Sequence, residues 1–400
     1  MRRHLRKDRR GISNIIVVVL SLIIIVVIVA NVILWSYQMN QLDWERIQEN
    51  VSIENIVGGS SVSCNPSGYT LGGSTNWLSG VISNLASNNG VYITFRSYVS
   101  VTSTTSKTDA FMAYRSNTGN MLNYTKYRLW DGDVASWGSE FEMNSASSPV
   151  RWVRTAICPK SERATEKIVV TLSDDGYLDA YIFDGESWTI TNDIASIWTI
   201  APANPIRPYD VAYETSSGRV LLVYDVNLAD SAKDLGYKIW TFGTGWSQEY
   251  YVDFTGVVST NPVLSFILLA SNPDATSNQI AMVFNDGTNG DAFASIWDGS
   301  AWTKMTTLTT TNTIATRESI SIQYSTYYKK ILAVAGNNPN SMAWKTYTQG
   351  DLDWAVQTAF DPDPDGGDDV CFGTLKRDPA ATSTSDYVMY VGVNDLSDLN

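Results

Sequence analysis

The stretch WDGSAW, residues 297–302, decides how most of this chain is read, because four other places repeat its pattern. They are WDGDVASW (130–137), FDGESW (183–188), WTFGTGW (240–246) and YTQGDLDW (347–354). The closing tryptophans, Trp137, Trp188, Trp246, Trp302 and Trp354, follow one another at intervals of 51, 58, 56 and 52 residues. Upstream of four of them stands a β-branched or aromatic run: KIVVTL (167–172), RVLLVY (219–224), QIAMVF (279–284) and KILAVA (330–335). Each is followed by an Asp, Asn or Gly turn and a second run that ends in the motif, which is how hairpins are written in sequence. Another strand-like run precedes each, as in RTAI, YDVAYE, SFILL and SISIQY.

Four short strands in a unit of about fifty residues predict a β-propeller blade, close in length to kelch-type repeats. The paired glycines of kelch repeats are missing, so the architecture is expected and not that family. Ordinary stacked hairpins or tandem small β-domains are the alternative. Trp130, Trp137, Trp188, Trp246, Trp297, Trp302 and Trp354 are the motif residues, expected for the most part to pack between blades. A first blade opens at residues 92–97 and 109–114, and a sixth begins at 370–375 and 387–393 without a closing Trp. The propeller therefore spans 76–400, with about six units and the last incomplete.

The N-terminus has a different character. Six Arg and Lys residues lie between Arg2 and Arg10, ahead of Gly11, and no charge occurs from Ile15 to Trp35. That run is about long enough to cross a hydrocarbon core as a helix. The cationic cluster precedes it and the first later charges are acidic, which places the N-terminus inside and the remainder outside. The segment RRGISNIIVVVLSLIIIVVIVANVILWSY (9–37) resembles the N-terminus of archaeal type IV pilins. The resemblance implies a leader at 1–11, cleavage between Gly11 and Ile12, and a helix over 12–55 that assembles with copies of itself into a filament. Ile16 stands where bacterial pilins carry Glu. A Gly- and Ser-rich linker at 56–75 would follow. The expected fold class is thus mostly β, a long N-terminal hydrophobic α-helix ahead of a propeller of four-stranded blades.

Composition restricts the function. The formal net charge of -13 leaves no basic patch for nucleic acid. Cys64, Cys158 and Cys371 allow one disulfide at most. The single histidine is His4, so the outer part has no imidazole for a triad or a zinc site, and no catalytic residue is assigned. Paired carboxylates remain open to a propeller enzyme, although the Asp-box turn of sialidases is not reproduced by SDDGY (173–177). The loop DPDPDGGDD (361–369) offers Asp361, Asp363, Asp365 and Asp369 around Gly366, a spacing suited to Ca2+. It resembles the calcium loops of integrin-type propellers and thrombospondin-like repeats, with Phe372 where an EF-hand places Glu. Asn50 and Asn123 match the glycosylation pattern. The chain is expected to be a membrane-inserted, structural or adhesive surface protein of pilin type, not an enzyme. The alternative is an anchored propeller acting as a lectin, a receptor or a polysaccharide-active enzyme, with surface glycans as partners.

Overall fold

The repeated β-branched runs are strands. A computed structural model describes most residues between 96 and 393; everything before and after, and several intervening loops, lie outside the description. The chain divides into compact units 1–78 and 79–400, and the described residues all belong to the second.

The first sheet runs β1 (Arg96–Val99), β2 (Thr108–Arg115), β3 (Tyr124–Asp131), β4 (Ser136–Trp137), with β5 (Phe141–Ser145) also on β3. The second is β6 (Val150–Ile157), β7 (Lys167–Ser173), β8 (Tyr177–Phe183) and β9 (Trp188–Ser196). The third is β10 (Tyr209–Tyr213), β11 (Val220–Asp225), β12 (Leu235–Thr241) and β13 (Gly245–Trp246), with β14 (Tyr250–Val252) also on β12. The fourth is β15 (Leu264–Ser271), β16 (Ile280–Asp286), β17 (Ala292–Trp297) and β18 (Trp302–Thr309). The fifth is β19 (Ile320–Tyr324), β20 (Ile331–Asn337), β21 (Ser341–Tyr347) and β22 (Ala355–Val356). The sixth pairs β23 (Phe372–Arg377) with β24 (Val388–Val393). The strand pairings are antiparallel and, apart from β3 with β5 and β12 with β14, join neighbours in sequence, and the first strands of successive sheets, β6, β10, β15, β19 and β23, lie against one another. These are the blades of a β-propeller.

Position within a blade explains the apolar runs. β10, β11, β16 and β17 are buried at every residue, because an inner strand has a neighbouring blade on both faces. β9, at an outer edge, mixes exposed Thr189, Asn192 and Asp193 with buried Ile194 and Ala195. Tyr209, Tyr213 and Tyr224 pack with Val170, Leu172 and Ile194 of the blade before, so the core is a series of layers between blades.

Polar side chains join the inner strands. Asp210 receives Arg154 Nε at 2.8 Å and Nη2 at 3.1 Å, and its Oδ2 also accepts the Leu269 N–H at 2.8 Å. One carboxylate thereby ties β6, β10 and β15. Arg207, 1% exposed, donates to the carbonyls of Tyr209 and Ile267 and to Glu318 at 2.8 Å.

The expected fold class needs correction. No α-helix occurs among the described residues; the one helical element is a 3-10 turn at Ser161–Arg163. None of their helices is long and apolar enough to cross a membrane. The described fold is all β because its apolar residues come in short β-branched runs between turn residues, a pattern that gives no helical stripe. The long helix expected at 12–55, the Gly11 and Ile12 junction and the 56–75 linker fall outside the described residues. Cys158 is a free, buried thiol, pushed up to about 11 by burial; Cys64 and Cys371 are not among the described residues.

Candidate binding site

The repeated motif is the hairpin between the third and fourth strands. Asp298 Oδ1 accepts the N–H groups of Ser300 and Ala301 and the Ser300 hydroxyl, each at 2.8 Å. Asp184 does the same with the N–H groups of Glu186 and Ser187 at 2.8 Å. Gly185 and Gly299 have φ of 111° and 101°, and an added Cβ would stand 2.9 Å from Thr165 and from Asn278. Only glycine suits both the angle and the gap. Asp298→Ala is expected to remove about 1 kcal/mol of stability, as loss of a similar side-chain cap does; a shift in the denaturation midpoint checks it.

The closing tryptophans are wedges. Trp188 donates its indole N–H to Tyr127 of the preceding blade at 3.3 Å. Trp302 meets Tyr237 edge-on at 6.3 Å, and Trp354 donates to the Lys304 carbonyl at 2.7 Å. Trp246 packs on the core shared by the second and third blades. Trp130 and Trp137 contact each other at 5.6 Å, and Trp297 is 1% exposed. Trp188, Trp246, Trp302 and Trp354 thus join neighbouring blades, while Trp130 and Trp137 pack within the first.

A second constellation emerges at fixed offsets from the motif, among the described residues in the first and third blades. Tyr114 and Tyr224 stand on the second strand, opposite Lys126 and Gly236. Glu140 and Glu249 lie three residues after Trp137 and Trp246. In each blade the phenol donates to the carboxylate. Glu140 also takes Lys126 Nζ at 2.6 Å, with Arg128 Nη2 at 3.7 Å. Glu249 takes the Tyr251 hydroxyl at 2.6 Å. Arg128 and Lys238 occupy one offset, two residues before Trp130 and Trp240. Arg128 donates to Gly138 O at 3.0 Å; Lys238 reaches Ile194 O of the preceding blade at 2.6 Å. Lys238 thereby ties the third blade to the second. One residue further along, on the opposite face of the strand, Tyr127 stacks with Phe141 and Tyr237 with Tyr250, at 5.2 and 5.4 Å.

The electrostatics suit an acceptor. Partial burial pushes Glu140 up, but bonds from Lys126 and Tyr114 and the charges of Lys126 and Arg128 outweigh it and hold the carboxyl below its usual range. Tyr114 is pushed up to about 12, by burial first and by Glu140 second. Glu140 thus presents an ionised carboxylate partly covered by the Tyr114 phenol and beside Lys126 and Arg128, while Glu249 is met by the hydroxyls of Tyr224 and Tyr251.

The remaining residues expected to carry function lie elsewhere. Asp361, Asp363, Asp365 and Asp369, with Asn50 and Asn123, fall outside the described residues. Among the described residues no group of three or more His, Cys, Asp or Glu side chains could hold a metal ion. The Tyr–Glu pairs, 26 and 25 residues apart, escaped the sequence reading; their one signal is a Glu three places beyond the closing Trp in the first and third motifs.

No protein-family model matches the chain, and no curated protein does. Among solved structures, a lectin from Burkholderia pseudomallei is similar over 78% of this chain and 87% of its own, at 12% identity and a TM-score of 0.48. The Aleuria aurantia lectin, solved with α-methyl-L-fucoside, matches 68% of this chain and 78% of its own, at 14% and 0.41. The intramolecular trans-sialidase of Ruminococcus gnavus matches 71% and 87%, at 10% and 0.42. Identities and scores this low carry neither ligand nor activity to the present chain.

Proposed function

We propose that the propeller is a carbohydrate-binding head on a surface protein, with Glu140 and Glu249 as the hydroxyl acceptors of two clefts that share the phenol–carboxylate pair. The observation that carries this reading is the repetition. The same phenol–carboxylate pair recurs at the same offsets in two blades, while the matching positions elsewhere are Thr171 and Thr191, Phe284 and Met305, and Ala335 and Gln357. A blade folds without the pair, so folding alone does not call for it.

A sugar offers vicinal hydroxyls that need acceptors once they leave water, and a charged acceptor makes the stronger bond. Lys126 and Arg128 add donors for ring and hydroxyl oxygens at the first cleft. Because Glu140 is held ionised, it is suited to accepting protons in hydrogen bonds and not to donating one to a leaving group, which favours binding over glycoside cleavage. The basic residues 2–10 and the uncharged run 15–35 support display outside the membrane.

The test is a glycan array probed with the full chain and with Glu140→Gln, Glu249→Gln and the double variant. The double variant is expected to weaken binding about tenfold or more, with each single variant intermediate. Unchanged binding by the double variant would remove the clefts from the reading; an array with no bound glycan for the wild type would remove the reading itself.

A further inference from the structure

A different corner of the molecule exposes aromatic rings that the fold holds still. The loop between β19 and β20, STYYKK (325–330), carries Tyr327 and Tyr328, 48% and 58% exposed. Their rings meet nearly at right angles, 85°, with centroids 5.0 Å apart. The corresponding loops of the second, third and fourth blades, at 158–166, 214–219 and 272–279, contain no aromatic residue.

The next blade fixes this loop. Asp386 accepts three consecutive backbone N–H groups, from Thr326 at 3.0 Å, Tyr327 at 3.1 Å and Tyr328 at 2.8 Å. Tyr328 donates its hydroxyl to Ser383 O at 2.8 Å, and Thr326 donates to Asp378 O. Lys329 sits at a φ of 56°, and its ammonium returns to Thr326 O at 2.6 Å. Two tyrosines are thereby held in water with little freedom left to lose, which is the condition for a weak ligand to gain from stacking.

The surroundings choose the ligand. Asp386 and Ser383 bind the loop and the Tyr328 hydroxyl, Lys329 and Lys330 follow the rings in the chain, and Tyr387, 53% exposed, follows Asp386, so the exposed aromatic surface is that of two or three tyrosines among polar residues. A protein partner needs a broad apolar centre of several hundred square ångströms, roughly 800 Å² per side in all. A pyranose needs one ring as a floor for its C–H face and one as a wall, with polar groups at the rim. We propose that the Tyr327 and Tyr328 corner is a further carbohydrate contact, which takes one terminal pyranose by stacking and is separate from the clefts at Glu140 and Glu249.

The experiment is saturation-transfer NMR on the full chain with methyl β-D-galactopyranoside and methyl β-D-glucopyranoside. Transfer to the C–H protons of at least one glycoside is expected, and it should persist in Glu140→Gln/Glu249→Gln. In the Glu140→Gln/Glu249→Gln background, Tyr327→Ala/Tyr328→Ala should reduce it about fivefold or more. Tyr327→Leu/Tyr328→Leu, which keeps apolar bulk without rings, should reduce it as much. Tyr328→Phe, which loses only the bond to Ser383, should keep it. Absence of transfer from both probes overturns the proposal, as does transfer that survives both double tyrosine variants. Loss in the double glutamine variant would merge the corner with the clefts and also overturn it. Self-association that depends on the tyrosines, without sugar transfer, would make a second copy the occupant. The array result on the glutamine variants stands or falls separately.

Discussion

Asp210→Ala is expected to lower unfolding free energy by about 3–5 kcal/mol, the scale of breaking a buried ion pair from one side. The carboxylate is 4% exposed and carries three inter-blade bonds, two from Arg154 and one from the Leu269 N–H. Removing it leaves Arg154 without its partner and a β15 amide without an acceptor, in a site the alanine methyl cannot fill. Asp210→Asn keeps the shape and an oxygen for Leu269 but loses the charge, so it should fall between wild type and alanine. Burial pushes the Asp210 carboxyl up; the Arg154 and Arg207 guanidiniums outweigh that and hold it below the usual carboxylate range. A depressed folded value means that this contribution is present above about pH 4, the unfolded value, and disappears as pH falls through the folded one. The gap between wild type and Asp210→Asn in denaturant melts should therefore narrow below about pH 4. A gap that is constant from pH 7 to 3 would show that the ion pair is not its source.

Trp297→Ala should be comparably damaging, at about 3–5 kcal/mol for a large ring deleted from a packed site. Trp297 is 1% exposed, contacts Trp302 at 5.7 Å and Tyr237 of the preceding blade at 5.5 Å, and donates its indole N–H to Glu214 at 2.7 Å. Glu214 is itself held by Arg219 through two bonds of 2.7 Å. Trp297→Phe separates the two contributions, because it restores most of the packing and leaves one Glu214 oxygen short of a donor, at a cost of about 1–3 kcal/mol. Equal midpoints for the Phe and Ala variants would assign the effect to the hydrogen bond and not to packing.

The parts of this fold that depend on local pattern were legible. KIVVTL, RVLLVY, QIAMVF and KILAVA all lie in second strands, β7, β11, β16 and β20, and FDGESW and WDGSAW form the turns into β9 and β18. Period, β-branched content and a glycine at a left-handed turn are written residue by residue, so a single chain shows them. Two features were not. The fourth strand of the first and third blades is split into β4 with β5 and β13 with β14, and runs of two or three residues carry no periodicity. The Tyr–Glu pairs and the Tyr327 and Tyr328 corner arise from side chains brought together across strands or fixed by another blade. Tyr328 and Asp386 are 58 residues apart, and nothing in YYKK or TSD alone announces the contact. The N-terminal apolar run also reads clearly in sequence, and it lies outside the described residues.

The closing tryptophans have one further consequence. Trp188, Trp302 and Trp354 each reach back into the blade before their own, the first two onto a tyrosine at the same place in its third strand and the last onto the Lys304 carbonyl, so each of these junctions has a protruding indole and a seat. A chain built on that rule can be lengthened or shortened by one whole blade, about fifty residues, with each new neighbour meeting a half it already fits. An insertion of half a blade has no such freedom, because it leaves a bare strand edge and a seat without its indole.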